Sequence, residues 1–432
     1  MDMTTEVAAK LGPLGILAGG GGLPEQIAAS AVAQGRAVHI VAIMGEAAPG
    51  IEKFPHTWVN WGSIGRMSAS LKSAGCRDLI IVGSVTRPDL RKVRPDLGLI
   101  RAIPTIIRLF GGGDDHVLRN VVRFFEAQGF IVRGVAEVAP HLLMATGAIG
   151  RNVPDPAIAA DIDRGFALVD ALGFADVGQA VVIKGGRVLA IEAAEGTDRM
   201  LVRLGAENRA QGAILIKRPK PDQELRVDMP AIGPRTVELA AEIGLVGIVV
   251  EAGRVLIAER AGVIEAADRC GLFVAGVVAH TAPTLVRPVG AFKLVNRLMP
   301  QAPLRQDTIR ACGVVAALAS FASTAGVVVV RNHVIAIETG EGLEAMFARV
   351  NVLRQWGAKA GSKRRGVLAL SGAGLTASSV ATIVTAAAKA GLAGLVLPSG
   401  IATTVAEQFG QVAERQGLSV TEVHDSGRLG TP

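Results

Sequence analysis

An internal repeat limits what this chain can fold into more than any other feature of its sequence. A shift of 146 residues lays residues 179–203 on residues 325–349 without a gap, with ten identities in 25 positions. Further along, EIGLVGIVVEAG resembles KAGLAGLVLPSG at a shift of 147. A long segment that recurs at a nearly constant offset indicates two structural units of one kind. We therefore predict that one domain of this chain is duplicated.

The chain before the repeat alternates strands and helices. Leu14–Ala18 is an apolar strand, the glycine loop Gly19–Gly22 follows it, and a helix through Val32 leads to a second strand at Val38–Ile43. Another helix and a strand at Asp78–Val82 repeat the alternation. Such a βαβ unit with a right-handed crossover is typical of a parallel sheet. The sequence thus predicts an α/β protein with a Rossmann-like N-terminal domain plus a second α/β domain, the latter duplicated. The predicted bounds are 1–150, 151–280, a basic amphipathic connector at 281–302, and a degenerate repeat of the second domain at 303–432. Residues 145–156, which contain Gly, Asn and two prolines, are predicted to be the linker between the first two domains.

The glycine loop has two interpretations. Free backbone N–H groups at the start of a helix attract anions, so Gly19, Gly20, Gly21 and Gly22 are candidates for binding a phosphate or a sugar. The dinucleotide fingerprint G-x-G-x-x-G fits poorly because Pro24 occupies its third glycine position, and no Lys-Ser/Thr pair completes a Walker motif. A tight strand-to-helix turn without a ligand remains the alternative.

Composition restricts the class of partner. Half of the residues are hydrophobic and 19% are charged, which is typical of a compact globular protein and excludes a disordered chain. The absence of Tyr among 432 residues counts against a surface that stacks bases. The net charge of +7 lies in residues 281–432, where 15 Lys and Arg oppose 8 Asp and Glu. These cations are scattered, so we predict no nucleic-acid partner, and an anionic membrane surface or an ordinary solvated face remains open.

Two segments bear on a membrane. Residues 311–330 carry no charge over twenty positions, but their repeat counterpart at 165–184 is charged, which favours a helix, a turn and a strand over a membrane span. Residues 285–310 mix apolar and basic side chains, and they fit either a segment lying on an anionic bilayer or a linker helix packed on a domain. Three dispersed cysteines and the lack of a signal-like N-terminus predict a cytoplasmic protein.

One segment concentrates charge beside a strand end. Residues 217–236, KRPKPDQELRVDMPAIGPRT, hold five cations, three carboxylates and four prolines in twenty positions. Each proline fixes φ and removes a donor, so this charged loop is stiff. A site for a charged substrate and a salt-bridged connector both explain the loop by itself. The repeat favours the first, because residues 372–386 of the second copy, GAGLTASSVATIVTA, keep no carboxylate, cation or proline. The architecture does not require the loop, so we predict that it is catalytic and that the second copy is inactive.

A series of motifs in fixed order resembles one enzyme family. The segments are GILAGGGGLPEQIA near the start, GSVTRPDL at 83–90, GGGDDHVLRNVVRFFEAQGF at 111–130, ADIDRGFALVDALGFADVGQAVV at 160–182, AIEAAEGTDRML at 190–201, PKPDQELRVDMPAIGPRTV at 219–237 and GLVGIVVEAGRVLIAER at 244–260. Over roughly residues 11–280 the chain resembles the LpxI family of UDP-2,3-diacylglucosamine pyrophosphatases of lipid A biosynthesis. Residues 281–432 extend beyond the usual length of that family.

The resemblance implies a reaction and its surroundings. Members hydrolyse UDP-2,3-diacylglucosamine to UMP and 2,3-diacylglucosamine 1-phosphate with Mg²⁺, with water attacking the sugar-side phosphorus. They are built of two α/β domains that close over the lipid sugar. The expected localisation is cytoplasmic with peripheral contact at the inner membrane, and a homodimer is left open. The family's essential aspartate, in its R-V-D-[LM]-P motif, corresponds to Asp228.

The chemistry of the charged loop agrees with that aspartate. Mg²⁺ takes one or two carboxylates plus phosphate oxygens, so we expect Asp228 to be a metal ligand or a base that orients water, with Glu224 or Asp222 nearby. Arg226 is the third catalytic candidate, since alternation in an extended run would place its side chain on the face of Asp228. For Asp114 and Asp115 a helix cap is the alternative to substrate contact. The candidate substrate-binding residues are Gly19, Gly20, Gly21, Gly22, Ser84, Thr86, Arg87, Asp89, Asp114, Asp115, Glu195, Gly196, Thr197, Asp198, Lys217 and Lys220.

Two other functions compete with hydrolysis. A non-catalytic nucleotide-sugar or lipid-binding protein of the same fold would bind the substrate without turnover. A nicotinamide-dependent enzyme is suggested only by the glycine loop, and the poor fingerprint counts against it.

Overall fold

The computed structural model divides the chain into two compact units, neither of which is continuous in sequence. The first comprises Met1–Gly147, Asp222–Arg235 and Glu251–Ala266, and the second comprises Ala148–Pro221, Thr236–Val250 and Ala267–Pro432. Within these bounds the residues that the structure describes are 12–84, 114–221, 223–279, 291–296, 298, 302–321, 326–353, 364–372 and 375–424.

A five-stranded parallel sheet forms the centre of the first unit, in the order β3-β2-β1-β4-β5. Its strands are β1 (Leu14–Ala18), β2 (Val38–Ile43), β3 (His56–Val59), β4 (Asp78–Val82) and β5 (Ile131–Val132). Parallel strands are covered on both faces, which explains why β1 is buried at every position. The predicted strands β1, β2 and β4 are confirmed, whereas β3 is not predicted from the sequence.

Helices cover both faces of this sheet. One apolar cluster includes Ile27 and Ala28 of the first helix, and another includes Leu71 of the second and Val122 and Phe125 of the third. A two-stranded parallel sheet, β10 with β12, completes the unit. The elements are α1 (Leu23–Ala33), α2 (Ile64–Ser73), α3 (Asp114–Ala127), α4 (Val135–Val138), β10 (Ala231–Ile232) and β12 (Leu256–Ile257).

The second unit holds two six-stranded sheets. The first belongs to what we call the middle domain, residues 147–277, whose segments 222–235 and 251–266 are part of the first unit. Its strand order is β6-β13-β11-β9-β7-β8. The second belongs to the appended domain, residues 291–424, in the order β14-β19-β18-β17-β15-β16. The strands are β6 (Gly147–Ile149), β7 (Ala180–Lys184), β8 (Arg187–Ile191), β9 (Ile214–Lys217), β11 (Gly247–Glu251), β13 (Phe273–Val277), β14 (Ala291–Leu294), β15 (Gly326–Val330), β16 (His333–Ile337), β17 (Val367–Leu370), β18 (Gly394–Leu397) and β19 (Ser419–His424).

Both sheets of the second unit are mixed. The pairs β9–β11, β17–β18 and β18–β19 are parallel, and the hairpins β7–β8 and β15–β16 are antiparallel. One apolar cluster takes residues from both domains, among them Phe166, Ile216, Val314 and Val396. The remaining helices are α5 (Ala159–Leu172), α6 (Thr197–Ala206), α7 (Pro234–Glu242), α8 (Arg260–Cys270), α9 (Ala302–Leu318), α10 (Leu343–Leu353), α11 (Ala377–Lys389) and α12 (Thr403–Arg415).

Two segments predicted as connections contribute strands instead. The predicted linker at residues 145–156 contains β6, and the predicted connector at 281–302 contains β14, which pairs antiparallel with β19. Residues 281–290, 297 and 299–301 of that connector lie outside the described residues. The helix, turn and strand predicted for residues 311–330 are confirmed by α9 and β15. Among the described residues, no helix is both long and apolar enough to span a bilayer.

Candidate functional site

The carboxyl ends of β1 and β4 meet where the strand order of the first unit reverses. From β1 the chain builds outward to β2 and β3, and it then returns to add β4 and β5 on the other side. In open α/β sheets a ligand binds outside the carboxyl ends of the strands at such a switch point. Here β1 leads into the glycine loop Gly19–Gly22, and β4 leads into Gly83 and Ser84. The fold therefore brings these two predicted segments to one place.

The two loops touch through their backbones. The N–H of Gly20 donates to the carbonyl oxygen of Ser84 at 2.6 Å, and the N–H of Ser84 donates to that of Gly20 at 3.0 Å. A Cβ at Gly19 would lie 2.5 Å from the Ser84 oxygen, and one at Gly83 would lie 2.7 Å from the carbonyl carbon of Gly19. Only glycine fits at both positions, because neither backbone can give way. The result is a site edge lined by main chain, beside the first turn of α1.

The charged loop belongs partly to this same unit and approaches the same sheet edge. Gly134 follows the carboxyl end of β5, and a Cβ there would lie only 3.4 Å from the Cα of Arg226. Because β5 is parallel to β4 and β1, its carboxyl end lies at the edge that carries the glycine loop. Two strand spacings separate β5 from β1, on the order of 10 Å. The loop that carries Asp228 is thus built onto the N-terminal sheet.

The loop turns at the residues that the sequence predicted to be extended. The N–H groups of Val227 and Asp228 both donate to the carbonyl of Glu224, at 3.1 and 3.0 Å. The expectation that Arg226 and Asp228 share a face through strand alternation is therefore wrong, because a turn does not alternate its side chains. The side-chain amide of Gln223 donates instead to Oδ2 of Asp228 at 2.6 Å, and it orients that carboxylate.

Arg226 is engaged with carboxylates on two segments. Its Nε and Nη2 donate to the two oxygens of Glu224, each at 2.8 Å, and its Nη1 donates to Glu126 of α3 at 2.8 Å. These hydrogen bonds are the main cause that lowers the pKa of Glu224 and raises the pKa of Arg226. A planar guanidinium held on two sides suits the fixing of a loop. The geometry therefore gives Arg226 and Glu224 a positioning role around Asp228.

Two apolar side chains of the charged loop anchor it to the apolar clusters of the first unit. Val227 packs against the cluster that contains Leu71 and Val122, and Met229 packs against the cluster that contains Ile27. Asp228 lies between these two anchors, so its backbone follows the N-terminal sheet. The backbone of Pro230 then accepts from Leu256 at 2.8 Å, at the start of the β10–β12 sheet.

Sequence reasoning missed Arg119. This residue of α3 helps to lower the pKa of Glu224 through its charge, after the larger effects of the Arg226 hydrogen bonds, which burial opposes. Its Nε is buried and has no hydrogen-bond partner among the described residues. In its motif, DDHVLRNVV, the sequence analysis identifies only the two aspartates as candidates. Arg119, Arg123 and Glu126 follow one another at spacings of four and three residues, which places them on one side of α3. This spacing is the sequence signal that could have indicated Arg119.

The second unit brings the predicted Lys217 to the Glu195–Asp198 segment. The Nζ of Lys217 donates to the hydroxyl of Thr197 at 2.8 Å, and that hydroxyl donates to Glu192 at 3.2 Å. Gly196, at φ +81°, precedes α6, and Asp198 accepts from the hydroxyl of Thr236 at 3.4 Å. These contacts join the strand end at Lys217 to the start of α6.

Two predicted substrate-binding residues have charged protein partners instead of open surroundings. Lys220 forms an ion pair with Asp176. The side chain of Glu195 is 4% exposed and lies 2.7 Å from Nη2 of Arg203 and 3.8 Å from Nε of Arg349 in the appended domain. Burial between two guanidinium groups makes Glu195 part of the packing between the two domains of the second unit.

Several predicted residues cannot be placed. Asp114 and Asp115 begin α3, but their side chains lie outside the described residues. The same is true of the whole of Thr86, Arg87, Asp89 and Asp222. Their predicted contact with substrate stays a prediction.

The donor set bears on the predicted Mg²⁺. Among the described residues no group of three or more His, Cys, Asp and Glu side chains could hold a metal ion. Mg²⁺ often binds through one or two carboxylates with the remaining positions filled by phosphate oxygens and water. Asp228 provides one such carboxylate, whereas both oxygens of Glu224 accept from Arg226. The residues fit an ion that arrives with a phosphorylated substrate.

Comparison with known proteins gives matches over the first two domains. The family model described as the LpxI N-terminal domain matches residues 13–142, and the model described as the LpxI C-terminal domain matches residues 145–275. A protein of Caulobacter vibrioides, UDP-2,3-diacylglucosamine pyrophosphatase LpxI, is 40% identical over 272 residues, which cover 61% of this chain and 97% of that relative. The ranges that the two family models match end before the appended domain begins.

Proposed function

The chain belongs to the LpxI family, and we propose that it hydrolyses the pyrophosphate bond of UDP-2,3-diacylglucosamine to UMP and 2,3-diacylglucosamine 1-phosphate in lipid A biosynthesis. One structural observation carries the proposal. The RVDMP loop is fixed by ion pairs and apolar packing at the sheet edge that also holds the glycine loop. A fixed carboxylate beside a backbone-lined edge is the arrangement that hydrolysis of a phosphate anhydride needs.

Asp228 is the reacting carboxylate in this proposal. The oxygen of a water molecule forms a bond to the sugar-side phosphorus, and the bond between that phosphorus and the bridging oxygen breaks. The bridging oxygen leaves with the electron pair as part of the UMP phosphate, and the proton of the water passes to solvent. Asp228 orients that water or holds the metal, and the amide of Gln223 fixes which carboxylate oxygen is turned to it. Mg²⁺ would be held by Asp228 and by substrate phosphates, and when bound it neutralises phosphate charge.

The surrounding residues position the substrate and the loop. The main chain at Gly19–Gly22 and Ser84 approaches a phosphate or sugar without side chains in the way. Arg119 is the cation that we add to the predicted set, because its Nε has no partner among the described residues and its charge acts on the loop. Arg226 donates its hydrogen bonds to Glu224 and Glu126, so we propose that it holds the loop in place.

The substrate determines where the enzyme works. A diacylated sugar nucleotide resides at a membrane surface, and its nucleotide reaches an enzyme on the cytoplasmic side. We therefore place the protein in the cytoplasm with peripheral contact at the inner membrane. The charged loop has no counterpart in the appended domain, so the chain carries one active site.

The test is release of UMP from UDP-2,3-diacylglucosamine by the full chain, with and without Mg²⁺. Asp228→Ala and Asp228→Asn should each lower kcat by about 10²-fold or more, because the water loses its orienting group. The matched control is Asp163→Asn on α5, an exposed aspartate whose loss should leave turnover unchanged. Full activity in both Asp228 variants would refute the site, and tight binding of substrate without turnover by the parent would support a binding protein instead.

A further inference from the structure

The middle and appended domains repeat their fold strand by strand. Each sheet begins with a short edge strand, β6 or β14, and ends with a hairpin, β7–β8 or β15–β16. The two hairpin turns are held by the same pattern of hydrogen bonds. Asp161 accepts from the N–H groups of Gly185 and Gly186, and Asp307 accepts from those of Arg331 and Asn332. All three positions differ by 146 residues, so the sequence offset and the hydrogen bonds coincide.

The two domains share a core instead of packing as separate globules. Helices α5 and α9 contribute Phe166, Val169, Ala311 and Val314 to one buried cluster, together with strands of both sheets. A Cβ at Gly313 of α9 would lie 2.8 Å from the ring of Phe174 in the middle domain. Removing either domain would expose the apolar side of the other to water.

Four charged side chains at this contact form ion pairs that are related by two-fold symmetry between the two domains. Glu195 and Arg203 of the middle domain lie 2.7 Å apart, and their counterparts Glu341 and Arg349 lie 2.8 Å apart. Across the contact, Arg203 is 3.7 Å from Glu341 and Arg349 is 3.8 Å from Glu195. The four side chains are between 1% and 14% exposed. Each acid therefore faces its own arginine and the other domain's arginine.

Such reciprocity is the mark of an isologous contact, in which residue i meets residue j and residue j meets residue i. Contacts between unrelated domains have no reason to obey it. Closed two-fold contacts arise between identical subunits, and here both halves lie in one chain. We infer that the appended domain occupies the position of a second subunit, so that this chain is a monomer carrying its own partner on a face built for a second copy of the middle domain.

This contact reaches the predicted site segment. Glu195 directly precedes Gly196 and Thr197, and Thr197 accepts from Lys217. Arg349 thereby acts on the segment through Glu195, as a positioning residue. The appended domain would supply what a partner subunit supplies, without a charged loop of its own.

Charge reversal within one domain isolates the contact between domains. The full-chain variant E341R/R349E keeps an ion pair inside the appended domain but places like charges opposite both Arg203 and Glu195. The parent should have the mass of one chain, 44.5 kDa, in light scattering. The variant should melt lower by roughly 5 °C. It should also form a dimer whose fraction increases with protein concentration. The reason is that the unchanged face of its middle domain is complementary to the same face on another chain.

The matched control reverses all four charges. E195R/R203E/E341R/R349E restores both the internal and the cross-domain attractions, so it should return to a monomer with a melting temperature near that of the parent. A double reversal that stays monomeric at all concentrations would overturn the inference, whether or not it melts lower. The mass of the parent depends on no variant's folding, and a stable parent dimer would equally overturn it.

Discussion

The middle and appended domains have one strand order and differ most at a single connection. Between β9 and α7 the middle domain has sixteen residues, 218–233, whereas between β17 and α11 the appended domain has six, 371–376. The shorter connection closes the same parallel crossover, so the extra residues do not serve the sheet. Most of them, residues 222–233, belong to the first unit, where Val227 and Met229 join its apolar clusters. The comparison separates what the fold requires from what the chemistry requires.

The largest effect should come from removing that difference. Replacing residues 218–233 with residues 371–376 gives the middle domain the shorter connection of its counterpart. We expect all measurable UMP release to be lost, because Asp228 and its anchors go with the loop, while circular dichroism keeps its α/β signature. Asp228→Asn in the otherwise unchanged chain is the matched control, since it removes only the carboxylate. A graft that retains turnover would show that the loop is a connector.

The sequence predicts the buried strands from their composition, and the strands that it misses share one position in their sheets. Strands β1, β2 and β4 follow from continuous apolar runs, because strands covered on both faces have no polar alternation. The missed strands β3, β6 and β14 all lie at sheet edges. An edge strand pairs on one side only and tolerates glycine and polar side chains, so its pattern resembles a loop.

The candidate site likewise contains residues that the sequence predicts and contacts that it does not predict. The repeat and the motif order were enough to locate the charged loop and Asp228. The ion pair between Arg226 and Glu126 joins positions 100 residues apart, and Arg119 meets the loop by the same packing. One sequence without its fold contains no signal for such a pairing. The extended run predicted around Arg226 is wrong because the chain forms a turn there, and side chains do not alternate between two faces in a turn.

A smaller effect should follow from acidity at the contact between the two domains. Burial pushes the pKa of Glu341 upward, but the charge of Arg349, the N–H of Thr339 and the charge of Arg203 outweigh it, so the pKa is lowered from its ordinary value of 4.5. A carboxylate with a lowered pKa stabilises the folded state above the ordinary value, and that stability is lost as the pH falls through the lowered value. Glu341→Gln should therefore lower the melting temperature at neutral pH, and the difference from the parent should shrink below pH 4.5.

The comparison for this prediction is Glu344→Gln, which changes an exposed glutamate of α10. It should melt close to the parent at neutral and at acid pH, because exposed charges contribute little. A constant difference between Glu341→Gln and the parent across this range would mean that packing, and not the charge of Glu341, accounts for the loss.

The smallest effect should come from the two hairpin turns. Gly185 and Gly186 turn at φ +54° and +76° in the middle domain, and Arg331 and Asn332 adopt +53° and +64° in the appended domain. A side chain in the left-handed region is strained, less so for Asn, and glycine is not. Arg331→Gly should therefore stabilise the chain by about 0.5–1 kcal/mol, and Gly185→Ala should destabilise it by a similar amount. Urea unfolding of both variants measures these changes in the free energy of unfolding. If Arg331→Gly destabilised the chain, the interactions of the Arg331 side chain would outweigh the strain of its backbone, and the two turns would be alike in geometry but not in what holds them.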